Sequence, residues 1–201
     1  MNYLVHLYLS DGSDGGLLGN LMGDFVKGAL DESIPADIRA GLHQHRLIDA
    51  FAQGNAHFRR SKRRLPESFG HCKGVLVDVF YDHLLARDWE RHHPRPLADF
   101  AAHVHALLEA HFDRLPPGLQ EVAPRMIRHN WLVSYREIDV VGRVLERLAA
   151  RLSRPTPLAR GLSALLADYP QFAEDCRLFL LDAQTFLQKN PPESFPLNPA
   201  R

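Results

Sequence analysis

Apolar residues recur at three- and four-residue intervals along almost the whole chain, and the alternating runs that mark half-buried strands are nearly absent. A chain patterned in this way is confined to an all-α fold, in which each helix turns one stripe towards a shared core. Hydrophobic residues make up 45% of the 201 and charged residues 24%, which suits one helical bundle with its own core and excludes fibrous or low-complexity structure. We expect a single domain over residues 1–189 and a tail over 190–201, where Pro191, Pro192, Pro196 and Pro199 forbid regular helix.

Pro35, Ala36 and Asp37 suit a helix start, and the helix from there to about Phe51 places Ile38, Leu42, His45 and Asp49 on one face. A second helix is expected from Lys73 to Glu90. It is apolar on nearly all sides, so it belongs at the centre of the bundle, and it carries Asp78 and Asp82 as i,i+4 neighbours. Further helices are expected in LADFAAHVHALLEAHF, from Pro124 to Leu152, and from about Leu158 to Gln188. Gly12, Gly15 and Gly16 read as a polar loop without the spacing of a phosphate-binding motif.

Lys plus Arg total 24 and Asp plus Glu total 24, so the formal net charge is zero and there is no overall positive field to hold nucleic acid. No apolar run approaches the roughly 18 residues of a membrane span, and the N-terminus lacks a basic leader. Cys72 and Cys176 have neither metal-finger nor redox-pair spacing. Together these features point to the cytoplasm, with partners met through local patches.

Three apolar segments each carry acids or imidazoles: Asp24 in NLMGDFVKG, His45 and Asp49 in GLHQHRLID, and Asp78, Asp82 and His83 in GVLVDVFYDHLLA. A buried charge demands a partner. One divalent cation would serve several of these groups together, because carboxylate and neutral imidazole suit manganese, iron, zinc or magnesium. The alternative is separate satisfaction: Asp24 as a helix cap, His45 by a backbone carbonyl, Asp49 by Arg46 or Arg59, and Asp78 by Tyr135 or Arg136. Adjacent side chains on a helix diverge by about 100°, so Asp82 and His83 need not share one ligand.

The segment from His57 to Arg64 concentrates Arg59, Arg60, Lys62, Arg63 and Arg64, and no acid appears between Ala50 and Pro66. Solvated helix faces usually mix signs, so this run is a candidate surface for an anion or an acidic partner. It lacks the interleaved aromatics of a single-strand binder.

The blocks MNYLVHLYL, GNLMGDFVKG, GLHQHRLID, VDVFYDHLLARDW and WLVSYREIDVVGRVLERLAARL, in this order, resemble the acyl carrier protein phosphodiesterases, divergent relatives of the HD-type metal-dependent phosphohydrolases. The resemblance implies an HD-domain-like helical bundle. It also implies hydrolysis of the phosphodiester that joins 4′-phosphopantetheine to a serine of holo-acyl carrier protein, with Mn2+ as the preferred ion and Mg2+ or Fe2+ as substitutes. The family's acidic and histidine positions fall on Asp24, His45, Asp49, Asp78 and His83. Arg46 stands where a standard HD protein carries aspartate, and Ala52-Gln53 stands where relatives commonly have Thr-Asp.

On this reading Asp24, His45, Asp49 and Asp78 are metal ligands, and Arg46 meets a non-bridging phosphoryl oxygen through its planar fork. Asp82 or His83 positions the water or protonates the leaving oxygen. Arg59, Arg60, Lys62, Arg63 and Arg64 steer the acidic carrier protein, and Phe25 and Leu84 are candidates to line a channel for the pantetheine arm. Two other functions compete: an HD-type nucleotide phosphohydrolase, and a helical adaptor for an acidic protein whose acids are salt-bridged to Arg46, Arg87 and Arg136.

Overall fold

The computed structural model describes residues 3–191, and among them there are helices and no strands. In chain order the helices are α1 (Tyr3–Tyr8), α2 (Asp14–Met22), α3 (Ala36–Gly54), α4 (Ala56–Arg64), α5 (Lys73–Arg87), α6 (Leu97–Ala110), α7 (Pro117–Arg128), α8 (Trp131–Ser134), α9 (Ile138–Arg151), α10 (Gly161–Ala167) and α11 (Tyr169–Lys189). One continuous hydrophobic core draws on nearly all of them. None is long and apolar enough to cross a membrane. The tail expected at 190–201 lies outside the described residues from position 192 on.

α5 is the central helix, as its unbroken apolar pattern requires. Leu76, Val77, Phe80, Tyr81 and Leu85 are all fully buried, and α5 packs against α1, α4, α9 and α11. Each large apolar side chain removed from water in this way contributes roughly 1.5–3 kcal/mol. The expected helix to Glu90 ends instead at Arg87, and Trp89–Arg91 continue as a single 3-10 turn.

α3 begins at Ala36 as expected and runs to Gly54. Asn55 then stops α3 and starts α4, its Oδ1 accepting the N–H groups of His57 at 2.9 Å and Phe58 at 3.1 Å. Two expectations fail on local chemistry. The single helix from Pro124 to Leu152 is three helices, because Asn130 adopts the left-handed conformation (φ 44°, ψ 55°) between α7 and α8, which asparagine tolerates. Pro124, taken as a start, lies inside α7.

Gly15 and Gly16 belong to the first turn of α2, not to a loop, and Ser13 caps that turn by accepting the Gly16 N–H at 3.0 Å. The glycines are there for packing. A Cβ on Gly19 would lie 2.6 Å from the Gly41 Cα, and one on Gly41 would lie 2.7 Å from the Gly16 carbonyl oxygen, so α2 and α3 touch backbone to backbone.

Candidate metal centre

The close approach of α2 and α3 sets the first half of the site. The His45 Nδ1–H of α3 donates to the Asn20 carbonyl at the end of α2, at 2.9 Å, and Asn20 is itself locked by its Nδ2–H bonds to Gly16 O and Gln44 Oε1, both 2.9 Å. This fixes the imidazole tautomer and leaves Nε2 as a lone pair, an arrangement common for metal-ligating histidines. Gly23 makes room for it, since a Cβ there would overlap the His45 ring. Nε2 faces Asp49 Oδ2 at 3.4 Å and Asp24 Oδ1 at 3.9 Å.

α1 supplies the second half. The His6 ring stacks on that of His45, with centroids 3.9 Å apart and planes at 15°, and its Nε2 lies 3.3 Å from Asp49 Oδ1. One donor atom from each of His6, His45 and Asp49 lies within 4.8 Å of the others. Both imidazoles are buried, whereas the Asp49 side chain is 60% exposed, so the group opens to solvent through its carboxylate. Among the described residues neither Asp24 nor Asp49 pairs with a Lys or Arg.

Burial lowers the pKa of His6, keeping the ring neutral and able to ligate. At Asp49 partial burial works against ionisation, but the rings of His45 and His6, which donate to it when protonated, outweigh it and hold the carboxylate well below its usual range. Burial pushes the carboxyl of Asp78, half-buried on α5, above its usual range. Of the residues in the sequence reading, Asp24, His45 and Asp49 are brought together. The donor set fits a divalent cation: two imidazoles and the carboxylates of Asp49 and Asp24, neither of which pairs with a Lys or Arg among the described residues.

The profile of the family described as acyl carrier protein phosphodiesterase matches residues 1–183. This chain belongs to the acyl carrier protein phosphodiesterase family. An acyl carrier protein phosphodiesterase of Photorhabdus laumondii is 30% identical over 173 residues, covering 86% of this chain and 87% of the relative. One from Escherichia coli O139:H28 is 32% identical over 155 residues, 77% and 80% of the two chains. One from Shigella boydii is 32% identical over 170 residues, 84% and 88%. No solved structure matches.

The other residues singled out in this acyl carrier protein phosphodiesterase family member have different surroundings. Arg46, half-buried beside His45, donates to the Val26 carbonyl at 3.2 Å and pairs with no carboxylate among the described residues, so part of its guanidinium remains available at the edge of the site. Asp82 is wholly buried, and its Oδ1 accepts the Val5 N–H of α1 at 2.9 Å. Burial pushes its carboxyl up to about 7, against the pull of the Val5 and Leu4 N–H groups. A carboxyl without exposed surface cannot touch a substrate.

His83 is not brought to the cluster. Its Nδ1 bonds the Tyr135 carbonyl and its Nε2 the Tyr169 hydroxyl, both at 2.7 Å. Leu84 is core, and Phe25 packs against Gly118.

The basic run divides. Arg60 and Arg64 turn inwards onto Asp175 of α11, which is fully buried and also accepts from Ser61 Oγ at 3.1 Å. Lys62 is half-buried, its Nζ lying 5.9 Å from the centre of the Phe58 ring. Arg59 and Arg63, one turn apart, face solvent. Sequence reasoning did not single out His6. The sign that could have found it is the same one that found Asp24: a titratable group amid Leu4, Val5 and Leu7, all buried.

Proposed function

We propose that this chain is a metal-dependent phosphodiesterase of HD type, which hydrolyses the phosphodiester between 4′-phosphopantetheine and the serine of holo-acyl carrier protein to release the apo-protein. The observation that carries the reading is the convergence of His6, His45 and Asp49 within 4.8 Å, with no Lys or Arg among the described residues to neutralise the acids, in a member of this family. His6, His45, Asp49 and Asp24 would hold the ion, and Asp78 would join them, since a cation nearby favours its ionised form. Mn2+ is the ion we expect, with Mg2+ or Fe2+ as substitutes. When bound, the ion supplies Lewis acidity and brings the pKa of a coordinated water towards neutrality.

The chain's own residues orient the reaction. Asn20 fixes the His45 tautomer, and His6 braces His45 by stacking. Arg46, with N–H groups beyond the one given to Val26, reaches for a non-bridging phosphoryl oxygen. Arg59 and Arg63, with Lys62 beside them, meet the acidic carrier protein and raise its encounter rate. A protein partner of this kind, rather than nucleic acid, suits a chain of zero net charge, and a carrier substrate is consistent with a cytoplasmic enzyme.

The test is conversion of holo- to apo-carrier on a gel, with and without Mn2+, for wild type, His6→Ala and Asp49→Ala. Wild type should turn over only with the ion and the variants should not. Full activity in either variant, or wild-type activity in chelator, would defeat the metal assignment. Binding of carrier without hydrolysis would favour the adaptor.

A further inference from the structure

We infer that Asp82 is a positioning residue, whose buried carboxyl on α5 anchors α1 through the Val5 N–H and so sets where His6 stands in the donor cluster. The inference rests on the reading that His6 is a ligand. α1 has six residues, too few to hold helical geometry unaided, and the first N–H groups of any helix lack intrahelical acceptors. Val5 is the third residue of α1. Its N–H is met by a side chain 77 positions away, with Val5 and Asp82 both at 0% exposure. His6 follows directly.

The two imidazoles differ in how they are held. His45 has its own tether, the Asn20 carbonyl, whereas the Nδ1 of His6 has no hydrogen-bond partner among the described residues. The orientation of His6 therefore depends on its stacking against His45, its contact with Asp49 and the placement of α1. Leu4, Val5 and Leu7 bury α1 without directing it, because apolar contact is not directional. The hydrogen bond from Val5 to Asp82 supplies the direction.

The test uses the full chain with three substitutions: Asp82→Leu, which keeps bulk and removes the acceptor; Asp82→Asn, which keeps an acceptor; and His6→Ala. In ion-free protein, the ring-nitrogen NMR signals of His6 and His45 should move in Asp82→Leu and stay in place in Asp82→Asn. Mn2+ affinity, read from the spin-resonance signal of free Mn2+, should fall about tenfold in Asp82→Leu, the lower end of losses seen when a ligand's support is removed. It should remain close to wild type in Asp82→Asn.

In a His6→Ala background, Asp82→Leu should cause no further loss. Equal loss in both backgrounds would overturn the inference, as would unmoved His6 signals. So would an Asp82→Asn variant with normal Mn2+ affinity and collapsed turnover, because the Asp82 proton would then belong to the chemistry. If Asp82→Leu does not fold, Asp82→Ala is read in the same way. Wild type that binds no Mn2+ would defeat the metal reading alone, and the ring signals of the ion-free protein would still decide the role of Asp82.

Discussion

Two aspartates in this fold, Asp175 and Asp49, have their charge met in opposite ways. At Asp175 a fully buried carboxylate is met by Arg60 Nε at 2.5 Å, Arg64 Nε at 2.9 Å and Ser61 Oγ at 3.1 Å, and Arg64 reaches on to Asp168 at 3.0 Å. Two acids and two guanidiniums cancel. At Asp49 the neighbours are two imidazoles and, across His45, a further acid, Asp24, and no Lys or Arg pairs with Asp49 or Asp24 among the described residues. Where side chains supply the countercharge, the centre is finished and structural. Where they supply lone pairs, it is left short of positive charge, the condition a divalent cation satisfies.

Asp175→Ala leaves Arg60 without its partner and Arg64 with Asp168 alone, and should cost about 3 kcal/mol of stability, read by denaturant unfolding, while Mn2+ affinity stays unchanged. Asp49→Ala should do the reverse: turnover falls at least about a hundredfold, roughly 3 kcal/mol of barrier, with little change in unfolding. If the two variants behave alike, the distinction between the centres fails.

Gly23→Ala sharpens the comparison from the side of the support. The new methyl displaces the His45 ring, and Mn2+ affinity should fall about 10- to 100-fold by titration. The basic helix offers an internal control. Arg59→Glu with Arg63→Glu should raise the KM for holo-carrier several-fold, most at low salt, and spare a small phosphodiester. Arg60→Glu should instead destabilise the fold, because it sets like charge against Asp175.

The smallest effects are in pH. Burial depresses the His6 pKa, so the unfolded chain takes up protons first, and the associated stability is present above about 6.5 and lost as pH falls below it. Asp82 has the opposite sign. Its carboxyl is raised to about 7, so the folded state favours the protonated form and stability declines as pH rises from about 4 to 7. Thermal unfolding in chelator should show Asp82→Asn removing the decline between about pH 4 and 7 and His6→Ala removing the loss below about 6.5.

Sequence pattern revealed α3, α5 and α6 because long helices with one core-facing stripe repeat their period several times. It also revealed Asp24, His45 and Asp49, since polar groups in apolar surroundings stand out locally. The remainder depended on contacts distant in sequence. Arg60 looked available because Asp175, which takes it, is 115 positions away, and Asp82 looked catalytic because Val5 is 77 away. α1 and α2 were obscured by brevity and by glycines, which read as loop when their purpose is helix contact.

That contact has a consequence for how the site can change. With no side chain between Gly19 and Gly41, the gap separating their helices is already at its minimum, and every mutation at the seam widens it. The bond from His45 to Asn20 spans the same seam, so widening the seam would stretch it. Adaptation to a larger ion or a different donor geometry would have to come through α1 and the segment after Gly23, which lie outside that seam.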